Sequence, residues 1–238
     1  MLSIKIEGLT ELHRILGEMG KKQLPFAAAK AITKTAKSVE ARIQSDMAGA
    51  FTSASPYVKR ATFSTSANKA TLSALIGLKD KKPSGGTAPA VLLKEHFTGG
   101  ARGNKPFEKA IAALGAMPRG HRAVPGSGMK LDAYGNPSRK EIGEMLGVLR
   151  TRMQVYKGRG KRTALVGYFI IPVGSRSHLS PGIYKRVAAG AIKAMFIFVP
   201  RAAYRKVMDM GRSAQEVVAR EYQPNFTAAF NEAMSTAK

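Results

Sequence analysis

Six cations crowd into one short stretch of this chain: Arg150, Arg152, Lys157, Arg159, Lys161 and Arg162. Like charges held this closely repel one another, and an anionic partner relieves the repulsion. Gly158 and Gly160 lie among them, so the stretch reads as a loop rather than a packed face. The imbalance extends further. From Met145 to Met208 there are 64 residues with 13 Lys and Arg and no Asp or Glu. Nucleic acid fits such a surface, because each neutralised phosphate releases counterions. An acidic surface on another protein fits it as well. The six cations are therefore candidate contacts to a nucleic acid or an acidic partner, and they name a kind of partner rather than a reaction.

Residues that could perform catalysis do not converge in the sequence. His13, His96, His121 and His178 are scattered, with no metal-ligand spacing. No H-E-x-x-H, Walker loop, nucleophile elbow or dinucleotide-binding turn is present. Glu141 and Glu144 sit three apart on an expected helix, which points to surface ion pairs among many cations. Asp132 is distant from them in sequence, and a metal-dependent nuclease needs several carboxylates together. The run Thr98-Gly99-Gly100-Ala101-Arg102-Gly103 reads as a structural loop, since it lacks the strand and helix that a phosphate cradle requires. Tyr134-Gly135-Asn136-Pro137 and His178-Leu179-Ser180-Pro181-Gly182 read as turns. Tyr156, Tyr168, Tyr184 and Tyr204 interleave with basic residues, and core strand aromatics explain them better than base stacking. The expectation is a protein that is not an enzyme, with no catalytic residue, no metal and no cofactor.

Composition supports a folded, cationic chain. Its 238 residues carry a formal charge of +24 and are 44% hydrophobic, enough for a real core. There is no cysteine, which removes disulfides, thiolate nucleophiles and Cys-ligated zinc. No apolar run reaches the length of a membrane span. The N-terminal MLSIKIEGLTELHRI lacks the layout of a signal peptide, so the chain is expected to act or assemble where it is made.

The elements that must position these residues follow from periodicity. Ser3 to Ile6 alternates as a short strand. Thr10 caps a first helix with Leu12, Ile15, Leu16 and Met19 on one face, and Gly20 ends it. Pro25 then opens a longer helix whose stripe is Ile32, Ala36, Val39, Ile43 and Met47. Lys30, Lys34 and Lys37 lie on a neighbouring face, open to solvent, to nucleic acid or to a partner protein. Residues 57–63 and 70–78 form a strand pair, with Leu72, Ala74, Ile76 and Leu78 on one side. Short helices follow over Lys105 to Leu114 and from Ser138, the second carrying Ile142, Met145, Leu146 and Leu149. Strands run from Ala164 to Val173 and from Ile192 to Val199, the latter apolar on both faces. Ser213 and Glu216 form a capping box for a terminal helix bearing Val217, Val218, Tyr222, Phe226, Phe230 and Met234, kinked or restarted at Pro224.

Three stretches carry a family resemblance: GLTELHRILGEM with LPFAAAKAITKTAKSVEARIQ; FTGGARGNKPFEKAI with LGAMPRGHRAVPGSGMKLDAYGNPSRKEIGEML; and LSPGIYKRV with AIKAMFIFVPRAAYRKVMDMG. Together they resemble phage minor tail and tail-completion proteins, including the lambda-type minor tail protein Z family. The resemblance implies a structural virion protein at the tail or head–tail junction, closing as a homo-oligomeric ring around the DNA path. It implies other phage tail or neck proteins as partners, DNA contact in the lumen, no membrane and no small-molecule substrate. It also implies residence in the virion, and in the host cytoplasm during assembly. A basic nucleic-acid-binding protein of non-virion type is the alternative. The expected fold is α+β: a small, mostly antiparallel sheet packed by a long N-terminal helix and a C-terminal helix. Residues 1–97 and 163–238 are expected to form one core domain, and 98–162 an extended Gly/Pro-rich insertion or flexible arm.

Overall fold

A computed structural model of the chain describes residues 2–5, 9–81, 86–151, 155–157, 164–188, 190–201 and 203–236, with the backbone alone for 4–5, 9–22, 155–157 and 164–166. The fold is α+β, with a long N-terminal helix packed against the C-terminal helix and small antiparallel sheets. The chain divides into two compact units: Met1–Gly99 together with Arg205–Lys238, and Gly100–Tyr204. This division differs from the expected core of 1–97 and 163–238 with a separate arm.

In the first unit, helix α1 (Leu9–Ala50) runs 42 residues without a break. Two helices were expected here, ending at Gly20 and restarting at Pro25. Proline in a helix interior removes one hydrogen bond and costs about 3 kcal/mol. Leu24, Ala27 and Ala28, each at most 1% exposed, bury the turn that contains it. That tertiary packing outweighs the local stop signals. The predicted stripe holds: Ile32, Ala36, Val39, Ile43 and Met47 are all at most 2% exposed.

The stripe packs on a three-stranded sheet built from β1 (Leu2–Lys5), β2 (Thr62–Ser64) and β3 (Ser73–Leu78), in the order β1-β3-β2. On β3, Ala74 and Ile76 are wholly buried; Leu78, and Leu72 just before the strand, pack beside them. The expected strand over 57–63 begins instead as a helical turn, α2 (Pro56–Lys59). Ser55 caps it by accepting the Val58 N–H, and Pro56 occupies its first turn. Helix α3 (Pro89–Thr98) adds Leu93 to the same core.

Helix α6 (Met210–Ser235) lies antiparallel to α1 and continues through Pro224. Paired contacts run along both helices: Ser213 to Asp46, Glu216 to Arg42, Asn225 to Thr35 and Glu232 to Lys30. Small residues allow close approach at one end, where Ala27 meets Ala229 and Ala233, flanked by Phe226 and Phe230. The expected capping box is not the cap. Asp209 is, accepting the Arg212 N–H at 3.1 Å. The Ser213 hydroxyl instead donates to Asp46 Oδ2 at 2.5 Å. The half-buried Asp46 carboxylate on the facing helix is the stronger acceptor, so it takes the serine.

The second unit centres on a five-stranded antiparallel sheet. Its members are β5 (Arg122–Pro125), β6 (Val155–Lys157), β7 (Ala164–Ile171), β8 (Gly182–Ala188) and β9 (Ala191–Val199), in the order β5-β9-β8-β7-β6. A two-stranded ribbon pairs β4 (Gly100–Ala101) with β10 (Ala203–Tyr204). Helices α4 (Pro106–Ala113) and α5 (Arg139–Thr151) supply Ile111 and Met145 to the sheet's core, beside Ile183, Met195, Phe196 and Phe198. Helices α4 and α5 cover the apolar strand β9. The described part of 98–162 is thus integral to this core rather than an arm. A bulge opposite Ile183 and Tyr184 leaves Met195 of β9 without a partner on β8. This explains how consecutive residues, Met195 and Phe196, both enter one core.

Candidate polyanion interface

The second unit carries most of the charge. Residues 100–204 hold 19 Lys and Arg against 4 Asp and Glu, a formal +15. The remaining 133 residues hold 20 against 11, a formal +9. Cations in the first unit meet many acids, as with Lys30 and Glu232, Arg42 with Asp46 and Glu216, and Lys206 with Asp209.

Three of the four acids of the second unit are already engaged. Glu108 is wholly buried and takes a bidentate pair from Arg102, with Nη1 at 2.6 Å and Nη2 at 2.5 Å. The backbone N–H groups of Lys105 and Ala123 donate to the same carboxylate, each at 2.8 Å. Burial pushes the Glu108 carboxyl up, but these four hydrogen bonds outweigh it and hold the group below the ordinary glutamate value. Arg122 anchors the same corner by donating to the Arg102 carbonyl from Nε and Nη2. The Gly-rich run at 98–103 thus contains the end of α3 and the short strand β4 rather than loop alone, and its own arginine pins it. Asp132 closes its turn by accepting from the Tyr134 and Asn136 N–H groups, with Gly135 at φ 76°. Glu141 faces Lys185, Oε1 to Nζ being 3.7 Å. The unit's surplus cations have few acids of their own to meet.

Of the six predicted contact residues, Arg150 is exposed in the last turn of α5. Lys157 lies in β6, its backbone paired with Ala164 of β7. Arg152, Arg159, Lys161 and Arg162 lie outside the described residues. The expected loop is therefore strand over Val155–Lys157, because an alternating V-Y-K segment adds readily to the edge of an apolar strand. Sequence reasoning missed other cations of this unit. Arg176 and Arg201 are exposed in the loops flanking β8 and β9, and Lys193 is exposed on β9. The acid-free run from Met145 to Met208 contains all three, and it was the signal available for finding them.

Among the described side chains, Tyr168 and Tyr184 pack into the sheet rather than forming an open stacking platform. Tyr184 is 4% exposed and donates its hydroxyl to the Ser180 carbonyl at 2.7 Å. Tyr168 packs against the core, with the Lys185 ammonium over its ring. On the opposite side of β7, Phe169 stacks on Tyr184 under the Arg186 guanidinium. Among the described residues, no group of three His, Asp or Glu is placed to hold a metal ion. No helix among them is long and apolar enough to cross a membrane.

No protein-family model matches the chain, no curated protein is significantly similar to it, and no solved structure matches its fold.

Proposed function

We propose that this chain is a structural phage protein of the tail or head–tail junction, a tail-completion or neck subunit that assembles as a ring around the DNA path. The charge partition carries the reading. A unit of +15, with three of its four acids turned inward or tied into local contacts, suits a subunit that meets a polyanion. The three resembling stretches support the same placement. The paired α1 and α6 supply a rigid frame in the first unit, and the second unit presents cations toward DNA or an acidic neighbouring ring.

The test is mass spectrometry of purified virions, with copy number measured against a major tail protein. The expected result is a low copy number, on the order of one ring. Complete absence of the chain from infectious particles removes the structural role. Recovery on host nucleic acid alone then supports a basic nucleic-acid-binding protein of non-virion type.

A further inference from the structure

We infer that the outer side of the three-stranded sheet carries a docking groove for an acidic peptide segment with a large apolar anchor, supplied by a partner protein. The groove has a volume of about 860 Å³. Among the described residues, four rings line it: Pro56 and Tyr57 of α2, Phe63 of β2 and Pro89 at the start of α3. Strand alternation explains why it is open. Ala74 and Ile76 of β3 point to the core, so Phe63, opposite Gly77, stands on the other side. Gly77 has no side chain to cover it. The Tyr57 hydroxyl donates to the Thr87 carbonyl at 2.6 Å, which fixes that ring as a wall although it is 40% exposed. Val91 and Leu92 follow Pro89 on α3 and are 62% and 44% exposed. A set apolar surface left open to water in this way marks a place where another molecule binds.

The rim selects the sign of that molecule. Among the described residues, Arg60, Lys79 and Lys81 border the groove against one acid, Asp80. The Lys79 ammonium donates to the Arg60 carbonyl at 2.7 Å, which draws two of these residues together. Carboxylates neutralise the surplus, and a large apolar side chain fills the floor between the rings. A single nucleic-acid strand matches the charge but not the floor. Two of the four rings are prolines, which offer neither a π face nor a donor to a base.

The chain contains no tryptophan, so a tryptophan in the probe reports alone. The probe is the end-blocked peptide Asp-Glu-Trp-Leu-Asp-Glu, titrated into the full-length protein at physiological salt. The expected result is a saturable blue shift of its emission. Tyr57→Ala and Lys81→Glu each weaken binding by about tenfold or more, the scale of a central contact. Lys34→Glu makes the same charge change on α1, away from the groove, and shifts affinity by less than about twofold. Lys81 is exposed, so Lys81→Glu melts like the parent and carries the test if Tyr57→Ala fails to fold. Absence of a blue shift overturns the proposal. So does equal weakening by Lys34→Glu, or equal binding of a peptide with lysine in place of each acid. Displacement of the probe by oligothymidylate, with oligothymidylate binding lost in Tyr57→Ala, overturns it in favour of a nucleic-acid site.

Discussion

The Arg102 guanidinium and the Glu108 carboxylate meet in parallel, two hydrogen bonds of 2.6 and 2.5 Å, with Glu108 wholly buried and Arg102 8% exposed. They join three segments, because Glu108 also holds the start of α4 and the first residues of β5. Removing one partner strands a buried charge. Glu108→Ala or Arg102→Ala should each cost about 3–5 kcal/mol in urea unfolding. Replacing both, as Arg102→Met with Glu108→Leu, should cost less than either alone. Equal losses for the double and single variants would contradict this account.

Stability should fall in acid, and the sign follows from the carboxylates. Glu108 is held below its ordinary value as described. At Asp46, burial pushes the carboxyl up, but hydrogen bonds from Ser213 and Arg42 outweigh it and the group titrates low. A carboxyl with a lowered folded pKa stabilises fully above its unfolded pKa, and that stability is lost as pH falls through the folded value. The urea midpoint should therefore be flat near neutrality and drop below the ordinary carboxylate range. Glu108→Gln should flatten part of that drop. An unchanged slope in this variant would show that Glu108 titrates normally.

Ser213 and Asp46 offer a test of which residue caps α6. Ser213→Ala should cost about 1 kcal/mol and should couple to Asp46→Ala by roughly 0.5–3 kcal/mol in a double-mutant cycle. Asp209→Ala should cost about 1 kcal/mol through loss of the cap, and should be additive with both. Coupling of Ser213 to Glu216 in place of Asp46 would restore the capping-box reading.

Much of the fold was legible because it depends on local periodicity. The α1 stripe, the buried face of β3, α4 and α5 were all readable as single-element patterns. The failures share a cause, which is that partners distant in sequence overrode local signals. Gly20 and Pro25 did not divide α1 into two helices, because Leu24 and Ala27 are buried from outside the turn. Ser213 did not cap α6, because Asp46 lies 167 residues away in sequence. Strand β8, the centre of its sheet, went unread because Lys185 and Arg186 interrupt its apolar pattern. Of the interface, the sign of the charge was legible. Its concentration in one unit was not, since that depends on where the chain divides.

The close meeting of Ala27 with Ala229 and Ala233 sets a limit on size. Ala27 is 0% exposed, so Ala27→Leu should overpack the helix pair and cost about 1–3 kcal/mol by thermal or urea unfolding. Ala27→Gly should also destabilise, by about 1 kcal/mol, through helix propensity. A neutral Ala27→Leu would mean that the helices separate more readily than this packing allows.

The charge partition predicts a difference in salt dependence. Changing Lys157, Arg159, Lys161 and Arg162 to Ser should leave the melting temperature nearly unchanged and lower the salt slope of duplex DNA binding by about 3–4. The same change at Lys30, Lys34 and Lys37 should lower it less. Fluorescence anisotropy over a series of salt concentrations measures both. Failure of the first variant to fold would place that segment in the core.

The first unit is assembled from the two ends of the chain, with 105 residues between them. On a ribosome, α1 emerges before α6. At about 5–20 residues per second, the interval between the end of α1 and the end of α6 is roughly 10–40 seconds. During that time the face of α1 that carries Val39, Ile43 and Met47 has no α6 to cover it. The second unit, contiguous in sequence, has no such delay. The nascent chain therefore passes through a stage in which the cationic unit is complete while its companion still waits for its last helix.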